Sequence, residues 1–180
     1  MQTKTPSGEV GVLVGRFQTP VLHDGHRELI DSIVAKHKKV MILLGKAPTK
    51  VTRNNPLDFY TRKLMLNSLY PNIVVMPVKD VGNDEIWSKG VDSQIRSVFD
   101  IESVVLYGSR DSFAVAYNGQ FPVVELESSW PMLSGTEIRK IASENVRSTE
   151  DFRAGAIYAA YNRFPIAYST VDIVLHNEKD

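Results

Sequence analysis

Two short aliphatic runs that both end on glycine, EVGVLVG over residues 9–15 and KKVMILLG over residues 38–45, enclose a stretch of helical periodicity, HRELIDSIVAKHK. In that stretch Leu29, Ile30, Ile33 and Val34 recur at the spacing of one helix face. A β-branched run, an amphipathic helix and a second β-branched run make a βαβ unit, whose two strands are parallel. The alternation continues. NPLDFYTRKLMLNSLY predicts a helix opening after Asn55-Pro56, with Leu57, Tyr60, Leu64 and Leu69 as its apolar set, and NIVVMPV predicts a third strand. DEIWSKGVDSQIRSVF follows as a helix, and ESVVLYG and FPVVELE as the fourth and fifth strands. Two helices close the pattern, SGTEIRKIASEN and STEDFRAGAIYAAYNRF, each opened by a serine with an acid three residues later, the second through Asp151. Near-continuous apolar strands between helices define the class. It is α/β, a Rossmann-like doubly wound parallel sheet of about five strands with helices on both faces. Ligands of such sheets bind at the carboxyl ends of the strands.

The chain of 180 residues, 43% of them hydrophobic, suffices for one domain with a real core. Lysine plus arginine and aspartate plus glutamate number 21 each, so no global field favours nucleic acid or a membrane surface, and an anion site must be local. The absence of cysteine excludes disulfides, thiolate metal sites and a cysteine nucleophile, and it fits a cytoplasmic setting. No apolar run approaches the roughly 18 residues of a membrane span, and the N-terminus lacks a signal-peptide core. The last segment differs in kind. FPIAYSTVDIVLHNEKD holds one further strand candidate, Val171 to Leu175, before a polar tail, so the expected division is a domain over 1–163 and a tail over 164–180.

Two constellations carry chemistry. In VGRFQTPVLHDGHREL, Gly15 and Arg16 close the first strand, and His23 and His26 sit at the first turn of the following helix, with Gly25 between them. Free backbone N–H groups and the positive end of the helix dipole make that turn an anion site. In LSGTEIRK, Ser134 caps a helix with Glu137 reciprocating, while Gly135, Thr136 and Arg139 offer backbone, hydroxyl and guanidinium to an anion. A polyphosphate spanning two helix N-termini would use both. Lys46, after the second strand's terminal glycine, is a further phosphate candidate, and Arg53 and Arg110 lie near strand ends.

Together GRFQ, HDGH and SGTEIR resemble the motifs of the HxGH nucleotidyltransferases, nearest in pattern to nicotinamide mononucleotide adenylyltransferases of the archaeal and bifunctional type. The resemblance runs from Val10 to about Arg139 and takes in NNPLDFYTRKLML and NDEIW. It implies an enzyme that joins ATP and nicotinamide mononucleotide into NAD and pyrophosphate. By the same resemblance His23, His26 and Arg139 are catalytic. Gly15, Arg16, Phe17, Gly25, Lys46, Ser134, Gly135, Thr136 and Arg139 bind ATP, while Asp80, Asn83 and Trp87 receive the acceptor. Magnesium would arrive with the phosphates, and no residue is assigned to it. A homo-oligomer is the expected assembly, and the tail is similar to the linker into a Nudix domain, which is absent or fused elsewhere. The spacing departs from the family form: four residues, Thr19 to Leu22, separate Gln18 from His23 where two are usual. Sister transferases acting on nicotinate mononucleotide, pantetheine phosphate or a polyol phosphate, and a nucleotide sensor without turnover, are the alternatives.

Overall fold

A computed structural model describes residues 8–48, 52–100, 103–109, 112–126, 135–146 and 149–162. The strands are β1 (Val10–Gly15), β2 (Lys39–Lys46), β3 (Val74–Lys79), β4 (Val104–Ser109) and β5 (Val123–Leu126). The α-helices are α1 (Asp24–Val34), α2 (Phe59–Leu69), α3 (Asp84–Val98), α4 (Gly135–Asn145) and α5 (Glu150–Asn162), and a single 3-10 turn spans Phe113–Val115. The sheet is ordered β3-β2-β1-β4-β5 with every pair parallel. The order reverses between β1 and β4, and the crevice at their carboxyl ends is the place where such folds hold ligands.

Alternation along β1 divides the core into two layers. Leu13 points into the layer completed by Ile30 and Ile33 of α1 and Leu66 of α2, whereas Val10, Val12 and Val14 join Val91 and Ile95 of α3. Helices therefore cover both faces, and the expected fold class is the one found. The chain divides into two compact units, residues 1–141 and 142–180. Among the described residues no helix is long and apolar enough to cross a membrane.

Three local expectations need correction. α1 stops at Val34, short of Lys38, and His37 beyond it is buried; its Nδ1 donates to the Gly8 carbonyl (2.8 Å) and its Nε2 pairs with the Tyr107 hydroxyl (2.7 Å). α2 opens three residues later than the Asn55-Pro56 signal implied, because Asp58 caps it by accepting from the Thr61 N–H (2.8 Å). Its predicted apolar face points outward, with Tyr60 74%, Leu64 71% and Leu69 48% exposed, while Arg62 and Leu66 are buried. Counting only apolar residues missed an arginine whose hydrogen bonds lie inward. In α5 the cap is Thr149, whose Oγ1 accepts from the Phe152 N–H (3.2 Å); Ser148 and the strand expected at Val171 to Leu175 lie outside the described residues.

Candidate active site

The site begins where β1 ends. A Cβ on Gly15 would fall 2.8 Å from the Phe17 ring, so glycine lets that ring fold back over the strand end. Phe17 adopts φ 48°, the left-handed region that residues with a side chain seldom enter. It is also 5% exposed, which places its ring in the core. The ring lies 4.8 Å from that of His26, tilted by 53°, and His26 stacks on His23 at 3.7 Å. His23 is the N-cap of α1 without a side-chain cap bond; its carbonyl accepts from the His26 and Arg27 N–H groups. The four-residue spacing before it is taken up by a turn in which the Thr19 hydroxyl donates to the Val21 carbonyl (2.9 Å), leaving Val21 exposed and Leu22 buried.

His26 is the unsatisfied group here. Its Nδ1 is buried and has no hydrogen-bond partner among the described residues. Burial, reinforced by the neighbouring His23, holds its pKa down to about 3, and burial also lowers that of His23 against the opposing pull of Asp24. The sign of the linkage follows. The unfolded imidazole binds a proton below its ordinary 6.5 and the folded one does not, so stability falls as pH drops through 6.5 toward about 3. Between about pH 7 and pH 5.5 the loss is about 1 kcal/mol. Urea titrations at both pH values should show His26→Gln losing less stability than the parent chain; equal losses would refute the buried neutral ring.

Arg16 reaches from β1 across β2. Its Nη2 meets Asp80 Oδ2 at 2.9 Å and its Nη1 donates to Asn55 Oδ1 at 2.8 Å. Gly45 of β2 opens that route, since a Cβ there would lie 3.2 Å from Asp80 Oδ1 and 3.6 Å from Arg16 Cγ. From α4, Arg139 Nη1 donates to the Gln18 carbonyl (3.2 Å) and Nη2 to Thr136 Oγ1 (3.0 Å). Residues 16–19, His26, Asn54, Asn55, Gly135, Thr136 and Arg139 line one cavity of about 590 Å³. The two sequence constellations thus share one cavity, although more than a hundred residues separate Arg16 from Arg139.

Other expected site residues stand elsewhere. His23 backs His26, Gly15 backs Phe17, Gly25 is half-buried in the first turn of α1, and Lys46 is exposed at the end of β2; none of the four lines the cavity. On the acceptor side, Asp80 holds Arg16, and Asn83 caps α3 by accepting from the Ile86 N–H (2.9 Å). Trp87 is half-buried, with ring centroids 5.8 Å from Phe113 and 6.4 Å from Tyr117. Arg53 is exposed, and Ser134 and Arg110 lie outside the described residues.

Sequence reasoning gave no role to Asn54, Asn55 or Arg62. Arg62 is 2% exposed and donates to the carbonyls of Arg16 (2.7 Å), Gly45 (3.0 Å) and Asp58 (3.1 Å). Its i, i+4 relation to the buried Leu66 was the available signal.

No family model matches the chain. A curated nicotinamide-nucleotide adenylyltransferase from Picrophilus torridus is 31% identical over 86 residues, 45% of this chain and 50% of that protein. Another, from Sulfurisphaera tokodaii, is 25% identical over 157 residues, 82% of this chain and 87% of that protein. The chain spans about half the length of the first curated relatives it matches. Among solved structures, a bifunctional NMN adenylyltransferase/ADP ribose pyrophosphatase from Francisella tularensis superposes with a TM-score of 0.67 at 22% identity, over 76% of this chain and 42% of that one. The same bifunctional protein complexed with AMP and a manganese ion gives 0.66 at 19% identity, over 85% of this chain and 49% of that one. These structural likenesses are of fold.

Proposed function

We propose that this chain, a relative of the nicotinamide-nucleotide adenylyltransferases, transfers the adenylyl group of ATP to the phosphate of nicotinamide mononucleotide, forming NAD and releasing pyrophosphate. One observation carries the reading: Arg16, Arg139 and the half-buried ring of His26 converge on a single cavity at the carboxyl end of β1. An oxygen of the acceptor phosphate attacks the α-phosphorus of ATP, and the bond to the bridging oxygen breaks with its electron pair leaving on pyrophosphate. The acceptor is already a nucleophile, so the protein need supply only position and charge neutralisation.

Arg16 and Arg139 clamp phosphate oxygens, and the Thr136 hydroxyl and the backbone at Gly135 add donors beside them. His26 presents its ring at the cavity wall to the triphosphate, with His23 stacked behind it. Gly15 and Gly25 keep the approach open, Phe17 supports His26, and Lys46 and Ser134 complete the ATP side. Trp87, Asp80 and Asn83 belong to the acceptor side. Among the described residues no aspartate or glutamate lines the cavity; a divalent cation would be held there by the phosphate oxygens themselves. Bound there, magnesium would neutralise phosphate charge; the Francisella relative holds manganese with AMP.

Purified protein with magnesium, ATP and nicotinamide mononucleotide should yield NAD and pyrophosphate. No pyrophosphate with any phosphorylated acceptor would overturn the transferase reading. Release with pantetheine phosphate or a polyol phosphate alone would replace the acceptor. That second reading has a specific basis, because Trp87 already packs against Phe113 and Tyr117 and the Asn83 carbonyl is taken by its cap bond.

A further inference from the structure

Residues 16–18 leave β1 in a conformation that needs holding. Phe17, at φ 48°, sits in the left-handed region, which a residue with a side chain keeps only where the surroundings over-determine it. Both neighbours are pinned. On one side the Arg16 carbonyl accepts from Arg62 Nη1 at 2.7 Å. On the other, Gln18 is 5% exposed and its carboxamide pairs with one residue twice: Nε2 donates to the Leu57 carbonyl (3.0 Å) and Oε1 accepts from the Leu57 N–H (2.9 Å). The Gln18 carbonyl, in turn, accepts from Arg139 (3.2 Å).

We propose that Gln18 is a positioning residue for the reaction, its double hydrogen bond to Leu57 holding Phe17, and through Phe17 the ring of His26, in register with Arg139. The inference rests on the adenylyltransferase reading of the site. Its geometry is a relay. Leu57 fixes Gln18, Gln18 fixes the turn at Phe17, and the Phe17 ring lies 4.8 Å from that of His26. Without the pairing, Phe17 relaxes toward an ordinary backbone conformation, its ring leaves His26, and the carbonyl that Arg139 uses moves with it. The arginine clamp and the imidazole lose register together. A glutamine that only stabilised the fold would affect neither the titration of His26 nor the partition between kcat and KM.

The test uses Gln18→Met, of similar length without hydrogen bonds, and Gln18→Asn, which keeps the neutral carboxamide but is one methylene shorter than the double pairing with Leu57 needs; the second serves if the first fails to fold. Imidazole signals followed by NMR should show His26 of the parent chain remaining neutral down to the acid limit of the fold, and the variant's midpoint moving up toward the ordinary 6.5. Steady-state assays should show kcat falling by about 10-fold with a smaller change in KM for ATP. A folded variant in which His26 titrates as in the parent and kcat is unchanged overturns the proposal. A parent chain without transferase activity would instead overturn the functional reading, and the NMR titration would still judge the role of Gln18.

Discussion

On the proposed function, His26→Ala should lower kcat by roughly 100-fold or more while the chain stays folded, because the ring would act where charge develops on the departing pyrophosphate. A factor of that size corresponds to about 2.7 kcal/mol of transition-state stabilisation, the range expected for removing one preorganised donor. The ring is held in place: Phe17 and His23 flank it from two sides. KM for ATP should change far less, since Arg16 and Arg139 remain to bind the phosphates. Pyrophosphate release at saturating ATP and nicotinamide mononucleotide is the measurement. A variant within about threefold of the parent would remove His26 from the chemistry.

Arg62→Met should cost about 3 kcal/mol of stability. The guanidinium joins three carbonyls from three segments: the strand end at Arg16, Gly45 of β2 and the α2 cap at Asp58. A methionine fills much of the volume but withdraws the fork from the Arg16 and Gly45 carbonyls, in a region where Arg62 itself is 2% exposed; the Asp58 carbonyl keeps the Arg62 backbone N–H. Lysine keeps the charge and offers a point donor instead of a planar fork, so Arg62→Lys should recover only part of the loss. Burial, with the nearby Arg16 second, lowers the pKa of Arg62, so the cation relies on these carbonyls for its solvation. Equilibrium urea unfolding decides the matter. A loss below about 1 kcal/mol would mean that water reaches the carbonyls and replaces the fork.

Much of the fold was legible because strand and helix signals here are local. Each of β1, β2 and β4 is an aliphatic run at a glycine-marked end, and parallel pairing follows from the helices between them. The two anion-binding motifs were legible for the same reason, since helix N-termini carry their chemistry in consecutive residues. Hidden from such a reading was whatever depends on which way a side chain turns. Tyr60 and Leu64 resembled a core face and are exposed; Arg62, which the apolar periodicity did not single out, is buried. Gln18 stood inside a recognised motif, yet its partner Leu57 is 39 residues away, a pairing no periodicity encodes. Trp87 was assigned to a ligand by its residue type, and the structure gives it aromatic neighbours of its own, Phe113 and Tyr117.

The pairing of Arg16 with Asp80 has a kinetic consequence. With 21 basic and 21 acidic side chains the chain has no net charge, and one of the two cavity guanidinium groups already faces a carboxylate at 2.9 Å. Little unbalanced field extends beyond a Debye length of about 8 Å at physiological ionic strength. On the proposed function, an approaching nucleotide would not be steered from afar, and its encounter rate would be set by diffusion and orientation. The pull of Arg16 would come at contact, when phosphate competes with Asp80 for it. Added salt should then shorten the residence of the bound nucleotide more than it slows its arrival.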